Sequence, residues 1–145
     1  MKVQLRDIVV AVAEIERLTS GRARAKESFQ LALARRGIDV ILDEYYKARG
    51  EATKSHATRD ETKVDSYHFY LPQSPEEAKE GEPRLVDVDA FDAYTEEHNE
   101  LLDGEVEIDA SITIALIDKA KIDPPMTPVE LARLWWLIEG FRQQE

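Results

Sequence analysis

The sequence predicts an α+β fold that is mainly α-helical. We expect about four helices, including one long helix over residues 22–56, and a small antiparallel sheet from residues 66–71, 84–88 and 105–117. Three observations predict this class. Apolar side chains first recur every three to four residues, then alternate with polar ones in short segments, and a well-capped apolar helix closes the chain.

The 145 residues are expected to form a single domain. A chain of this length buries roughly 68–70% of the surface that its unfolded form exposes, so it can form a stable core without disulfides or a structural metal. The absence of cysteine excludes disulfides, a thiolate nucleophile and cysteine-ligated metals. Along the domain we expect a helical part (1–60), a hairpin with an acidic loop (64–88), and a helix, a strand and a helix (89–145).

Two helices are predicted in the first part of the chain. Residues 5–19 have apolar positions at helical spacing, and Ser20 is placed to cap the long helix that follows. The long helix carries one apolar stripe spaced 3-4-3-4-3-4, formed by Leu31, Ala34, Ile38, Ile41, Tyr45, Ala48 and Ala52. Gly37 costs roughly 1 kcal/mol relative to alanine, but the stripe keeps its phase across it. The polar residues 53–63 end the helix.

The sequence pattern in the middle of the chain predicts a β-hairpin with a long loop. Tyr67, Phe69 and Leu71 alternate with polar neighbours, which is typical of a strand, and residues 84–88 form the second strand. Between them lies an acidic loop bracketed by prolines, with room for one helical turn at residues 75–79.

A helix and an alternating segment follow. Asp89 is expected to cap a helix over 90–103, which Gly104 ends. From 105 to 117 apolar and polar residues alternate, which predicts either one long half-buried strand or two strands joined by a bulge or turn at 109–111.

The last helix, over 127–140, has the clearest signals. Thr127 and Glu130 are spaced for a capping box. In a helix the adjacent Trp135 and Trp136 point about 100° apart, so a monomer can hardly bury both. We therefore predict one of them at a protein interface.

Charge is distributed unevenly. The net charge is −11, yet residues 1–60 contain 12 basic and 9 acidic side chains, whereas residues 61–145 contain 7 and 21. The acidic excess disfavours broad nucleic-acid binding. The basic side chains at the start of the long helix need an acidic cover, from this chain or from a neighbour: Arg22, Arg24, Lys26, Arg35 and Arg36.

No residue pattern predicts catalysis. The three histidines, His56, His68 and His98, are not spaced as metal ligands. The row Glu105, Glu107 and Asp109 could hold Mg²⁺, but the solvated face of a strand explains it. Since no phosphate loop, serine triad or dinucleotide fingerprint is present, we predict no catalytic residue, metal or cofactor. Charges within the N-terminal apolar pattern argue against a signal peptide or a membrane span.

Four motifs carry a family resemblance: L-x-D-I-V-x-A at 5–11, D-E-Y-x-K-A-R at 43–49, N-E-L-L-x-x-E-V-E-I at 99–108, and L-x-x-L-x-x-L-I-E at 131–139. In this order they resemble a widespread group of small tailed-bacteriophage and prophage proteins that have no assigned activity. The resemblance implies a phage-type protein in the cytoplasm of the bacterial host or in the virion. The shared positions are core and cap residues, so no functional residue is carried over.

The sequence therefore predicts a non-catalytic protein that acts through protein–protein contacts, either a virion or assembly component or a self-associating accessory protein. A homo-oligomer is expected, with no membrane contact. One alternative is a small acidic inhibitor or adaptor of a host protein, and another is a metal-dependent enzyme that uses the Glu105, Glu107 and Asp109 row. The interface candidates are Arg22, Arg24, Lys26, Arg35, Arg36, Trp135 and Trp136.

Overall fold

A computed structural model describes residues 1–142 and is mainly helical. The helices within this range are α1 (Leu5–Val9), α2 (Val12–Leu18), α3 (Ala25–His56), α4 (Pro75–Lys79), α5 (Val88–Asp103), α6 (Ile114–Lys119), α7 (Pro128–Arg133) and α8 (Glu139–Arg142). The strands are β1 (Lys2–Gln4), β2 (Thr58–Arg59), β3 (Tyr67–His68) and β4 (Glu105–Glu107). The long helix is confirmed, but the described chain has eight helices and not about four.

Two predicted helices are interrupted. The segment 5–19 divides into α1 and α2, because the Ala11 N–H donates to the Ile8 carbonyl three residues back, at 3.1 Å, and the α-helical ladder stops there. The segment 127–140 divides into α7 and α8, with turns between them. The capping box of α7 forms as predicted, since Thr127 and Glu130 each accept a hydrogen bond from the other's backbone N–H.

A close backbone approach at Gly21 delays the start of α3. A Cβ atom at this glycine would lie 2.0 Å from the Ala120 carbonyl oxygen. The chain therefore passes tightly beside residues 120–121 before it becomes helical at Ala25, three residues later than predicted. Ser20 does not cap α3, because it lies five residues before the helix starts, and its hydroxyl donates instead to the Arg17 carbonyl at 2.7 Å.

The predicted single sheet is replaced by two separate pairs of short strands. β1 and β4 are antiparallel with Val3 opposite Val106, and β2 pairs with β3 with Thr58 opposite His68. β1 was not predicted. The hairpin predicted between 66–71 and 84–88 is reduced, among the described residues, to one antiparallel bridge. It joins Tyr70 to Val86 and is flanked by backbone hydrogen bonds.

The predicted strand over 105–117 is wrong beyond β4, although its alternation survives. Ile108 and Ile112 are buried while Asp109 and Ser111 are exposed. The extended chain forms a parallel bridge from Ile112 to Ile138 and then becomes helical. The Thr113 hydroxyl accepts a hydrogen bond from the Leu116 N–H at 3.1 Å, so an N-cap starts α6 where the strand pattern predicted extended chain.

The predictions for α4 and α5 hold with one correction. α4 occupies the predicted turn over 75–79, and α5 ends before Gly104 as predicted. The cap of α5 is Asp87 and not Asp89, since the Asp87 carboxylate accepts from the Ala90 N–H at 3.2 Å. The helix therefore begins at Val88.

The contacts between residues divide the chain into two compact units. Unit 1 comprises Met1–Glu44 and Leu102–Glu145, and unit 2 comprises Tyr45–Leu101. The single domain stays a prediction, because two contact clusters can belong to one cooperative fold. The most deeply buried large side chains all lie in unit 1: Ile8, Ile15, Ile38, Leu134, Trp136, Leu137 and Ile138.

Candidate protein-binding face

The first half of α3 has a buried face that belongs to the core of unit 1. Leu31, Ala34 and Ile38 from the predicted stripe are buried there. Leu42 is buried as well, whereas the predicted Ile41 is only partly covered. They pack in one cluster with residues of α1, α2 and the 134–138 segment.

The opposite side of the same helix is apolar and exposed. Phe29 is 65% exposed, Leu33 53% and Val40 60%. Single exposed apolar residues are normal on protein surfaces, but these three recur at intervals of four and seven residues and so lie on one side of the helix. In the isolated chain this row is in contact with water. If a partner protein covered it, the binding free energy would gain roughly 25 cal/mol for each Å² of apolar surface removed from water.

Charged residues continue the row in register. Lys26 precedes Phe29, Arg36 lies between Leu33 and Val40, and Asp43 follows, all of them exposed. We call this row of six the outer face of α3: Lys26, Phe29, Leu33, Arg36, Val40 and Asp43. Its spacing is 3-4-3-4-3, which is the repeat of a helix that packs against another helix.

An open groove of about 430 Å³ borders the outer face. Leu33 lines it together with Ala34 of the buried face, and the opposite wall comes from residues 110–113 and Leu116. The groove extends the apolar surface of the outer face sideways within unit 1.

The five predicted basic candidates are placed differently from one another. Arg35 is held within the chain, since it donates to the Thr19 hydroxyl and pairs with Asp39 at 3.4 Å. Arg22, Arg24, Lys26 and Arg36 are exposed, and among the described residues no carboxylate lies within salt-bridge distance of any of them. The acidic cover that the sequence predicted for this end of α3 is therefore not supplied by residues 1–142.

The two tryptophans differ in how deeply they are buried. Trp136 is 0% exposed in the core of unit 1, whereas Trp135 is partly buried against that core. The expectation that a monomer can hardly bury both assumed a continuous helix. Because α7 ends at Arg133 and the chain then turns, successive side chains leave the helical arrangement, and Trp136, Leu137 and Ile138 all point into the core.

Two ion pairs join α2 to α7 in an antiparallel arrangement. Arg133 donates to the buried carboxylate of Glu14 at 2.6 Å, and Arg17 donates both to Glu130 and to the Pro124 carbonyl. The hydrogen bond from Arg17 lowers the pKa of Glu130 below its usual value, helped by the Thr127 N–H. These contacts fix the segment that carries the tryptophans.

The carboxylate row considered for metal binding is not gathered into a site. Glu105 and Glu107 lie on exposed positions of β4, and Asp109 lies beyond its end. The Glu107 carboxylate accepts a hydrogen bond from the N-terminal amine at 2.6 Å, which lowers its pKa. Within residues 1–142 no three histidine, aspartate or glutamate side chains are grouped closely enough to hold a metal ion.

The histidines all belong to unit 2 and take part in contacts there. The His98 Nε2 atom lies 2.7 Å from the Tyr45 hydroxyl, and the ring stacks on Tyr94 with an interplanar angle of 6°. His56 lies 2.5 Å from the Glu97 carboxylate and so joins the last turn of α3 to α5. The His68 ring accepts a hydrogen bond from the Tyr70 N–H at 3.2 Å.

Unit 2 also has an aromatic groove of about 440 Å³. Phe69 is among its lining residues and contacts Phe91 edge to face, with ring centroids 5.5 Å apart. Tyr70 and Phe91 are both close to half exposed. The groove is a second apolar surface, but its rings also pack on one another and thereby stabilise the unit.

Of the outer face of α3, only Lys26 and Arg36 were predicted at an interface, although the sequence also contains a signal for its apolar residues. Phe29, Leu33 and Val40 repeat at helical spacing on the side of the helix opposite the stripe that begins at Leu31. The one apolar stripe predicted for this helix is the buried one that contains Leu31, Ala34 and Ile38. A second apolar phase on the same helix is therefore a signal that the sequence alone contains.

Comparison with protein-family models, with curated proteins and with solved structures gives no match to this chain. The resemblance to phage proteins therefore stays a prediction. Among the helices of residues 1–142, none is long and apolar enough to cross a membrane.

Proposed function

We propose that this chain is a non-catalytic protein that acts through protein–protein contacts, as a virion or assembly component or a self-associating accessory protein of the phage type. One observation supports the proposal above the others. The outer face of α3 combines three exposed apolar side chains with cations that have no carboxylate partner within the described residues.

The chemistry of this face suits a protein partner. Apolar side chains aligned at a 3-4 spacing favour a second helix, because ridges of side chains fit between those of a facing helix. Arginine beside apolar residues is enriched at protein interfaces, where its methylenes cover apolar surface and its guanidinium meets a carboxylate.

A matched pair of substitutions tests the proposal. Val40 is 60% exposed on the outer face and Val129 is 63% exposed on α7, so their replacement by glutamine changes the same chemistry at two places. In sedimentation velocity of the full chain, we expect a defined oligomer that Val40→Gln weakens and Val129→Gln leaves intact. A chain that is monomeric throughout the micromolar range, and that captures no protein from host lysate, would overturn the proposal.

A second role is supported by α5. Asp89, Asp92, Glu96 and Glu100 are all exposed and follow one side of this helix. Such a row of carboxylates presents regularly spaced negative charge, as a nucleic-acid backbone does, which fits an acidic inhibitor or adaptor of a host protein. This role predicts that one host protein is captured from lysate and is lost when Asp92 and Glu96 are changed to asparagine and glutamine.

The metal-dependent enzyme has less support. The Glu107 carboxylate, central to that hypothesis, is bonded to the N-terminal amine. A rise in the unfolding temperature with Mg²⁺ or Mn²⁺ that Glu107→Gln abolishes would return this role to consideration. An unchanged unfolding temperature would eliminate it.

A further inference from the structure

We propose that the outer face of α3 binds a second copy of this chain, with the two α3 helices packed antiparallel and Lys26 of each copy level with Asp43 of the other. This inference rests on the proposed function, because it names the partner at the same face. The order of charges along that face supports the inference.

The outer face reads cation, apolar, apolar, cation, apolar, anion from Lys26 to Asp43. Its 3-4 spacing puts these residues on the seam of a two-helix contact, where residues meet in layers. Lys26 and Asp43 are 17 positions apart, so the seam is about 26 Å long from the helical rise per residue.

The antiparallel arrangement pairs these layers favourably. With the two-fold axis between residues 34 and 35, Lys26 meets Asp43 of the second copy, Phe29 meets Val40, and Leu33 meets Arg36. Each layer occurs twice by symmetry, which gives a Lys–Asp pair at either end, a Phe–Val layer next to each pair and two Leu–Arg layers in the middle. The Arg36 methylenes then cover Leu33 of the other copy, while the guanidinium reaches solvent.

The parallel arrangement pairs them poorly. In register, Lys26 would meet Lys26, Arg36 would meet Arg36, and Asp43 would meet Asp43. Three of the six layers would then bring like charges together at short distance, which is destabilising. The charge order therefore selects the antiparallel dimer.

The same pairing supplies the cover that Lys26 lacks among the described residues. A carboxylate beside a basic helix start also compensates the unfavourable interaction of that cation with the positive end of the helix dipole. Two helix faces of this length bury an area near the low end of specific interfaces, about 1,200 Å² in total. We therefore expect a dimer that dissociates in the micromolar range and not an obligate one.

Charge reversal tests the register. Lys26→Glu and Asp43→Lys each convert the two end layers of the dimer into like-charge pairs, so we expect each to raise the dimer dissociation constant about tenfold. The double variant restores opposite charges and should return the constant to near that of the unchanged chain. Both positions are exposed, so folding is preserved, and circular dichroism checks this.

Spin labels test the direction of the helices. The chain has no cysteine, so Ala32→Cys and Ala25→Cys each provide a single labelling site. In the antiparallel register the two labels at 32 are offset by about 7 Å along the helix axis and those at 25 by about 28 Å. A parallel dimer would show similar label distances at both sites.

The outcomes separate this inference from the function on which it rests. Recovery in the double variant together with the longer distance at position 25 supports the antiparallel dimer. A dimer that charge reversal does not change, or equal label distances, overturns the inference and leaves a protein-binding function. A monomer that captures one host protein does the same, whereas a monomer that captures nothing overturns both.

Discussion

Unit 1 and unit 2 are stabilised by different kinds of contact. Unit 1 buries aliphatic side chains and Trp136 in one continuous cluster, with seven large side chains less than 2% exposed. In unit 2, which lies wholly within the described residues, Tyr45 and Ala52 are the only buried side chains. It depends instead on ring contacts and on hydrogen bonds such as Tyr45–His98.

The difference implies unequal local stability. Burial of a large apolar side chain stabilises by roughly 1.5–3 kcal/mol, whereas a single hydrogen bond or ring pair contributes about 1 kcal/mol. We therefore expect unit 2 to open at a lower free energy than unit 1 in native-state hydrogen exchange. Four substitutions test this comparison, from the largest expected effect to the smallest.

Trp136→Ala should cause the largest loss, because it leaves a cavity in the core of unit 1. We expect the free energy of unfolding to fall by about 3–5 kcal/mol, measured by urea denaturation with circular dichroism. Trp135→Ala is the control, since the neighbouring ring is only partly buried, and it should cost clearly less. Equal losses would mean that the two rings are covered alike.

Gly21→Ala should destabilise unit 1 by about 1–3 kcal/mol. Its added methyl group would meet the Ala120 carbonyl at 2.0 Å, so backbone must move. Gly50→Ala is the matched control in the unit 2 part of α3, where an added Cβ meets nothing within 4 Å. Because alanine favours helix, that change should stabilise by up to about 1 kcal/mol. Thermal unfolding of both variants should give shifts of opposite sign.

Tyr45→Phe should weaken unit 2 by about 0.5–1.5 kcal/mol, because it removes the hydroxyl that meets His98 and leaves the ring in place. Hydrogen exchange should quicken at α5 amides and stay unchanged in α2. Tyr46→Phe, at a ring that is 41% exposed, is the control. Equal quickening in both units would show that they open together.

The smallest effect concerns pH and the Arg17–Glu130 pair of unit 1. The guanidinium lowers the pKa of Glu130, so the pair stabilises the fold above the ordinary glutamate pKa and loses this contribution as pH falls through the lowered value. Unfolding temperatures of the unchanged chain and Glu130→Gln should therefore converge as the pH decreases below about 4. Glu76→Gln on the exposed α4 is the control. A constant difference at all pH values would exclude a charge effect.

Local signals were sufficient where a few neighbouring residues determine the structure. The capping box at Thr127, the turn at 75–79 and the buried stripe from Leu31 to Ile38 were all predicted, because cap and period are properties of the nearby sequence. Predictions failed where a distant segment competes. β1 pairs with β4 about a hundred residues away along the chain, and no local pattern indicates that partner.

The same contrast between local signals and distant contacts applies to the predicted interface residues. Lys26 and Arg36 were predicted at an interface from charge alone, whereas Arg35 is held within the chain by Thr19 and Asp39. Trp136 was offered as an interface residue because a straight helix was assumed. The end of α7 at Arg133 placed it in the core instead.

By itself the sequence determined that the chain is mainly helical, that one long helix carries a buried stripe, and that this helix begins with basic residues. These depend on periodicity, capping and charge, which act over a few residues. Only the tertiary structure decided where α3 starts, which tryptophan is buried and that the apolar residues Phe29, Leu33 and Val40 stay exposed. Each of these depends on segments far apart in sequence, such as residues 120–121 beside Gly21, which come together only when the chain packs.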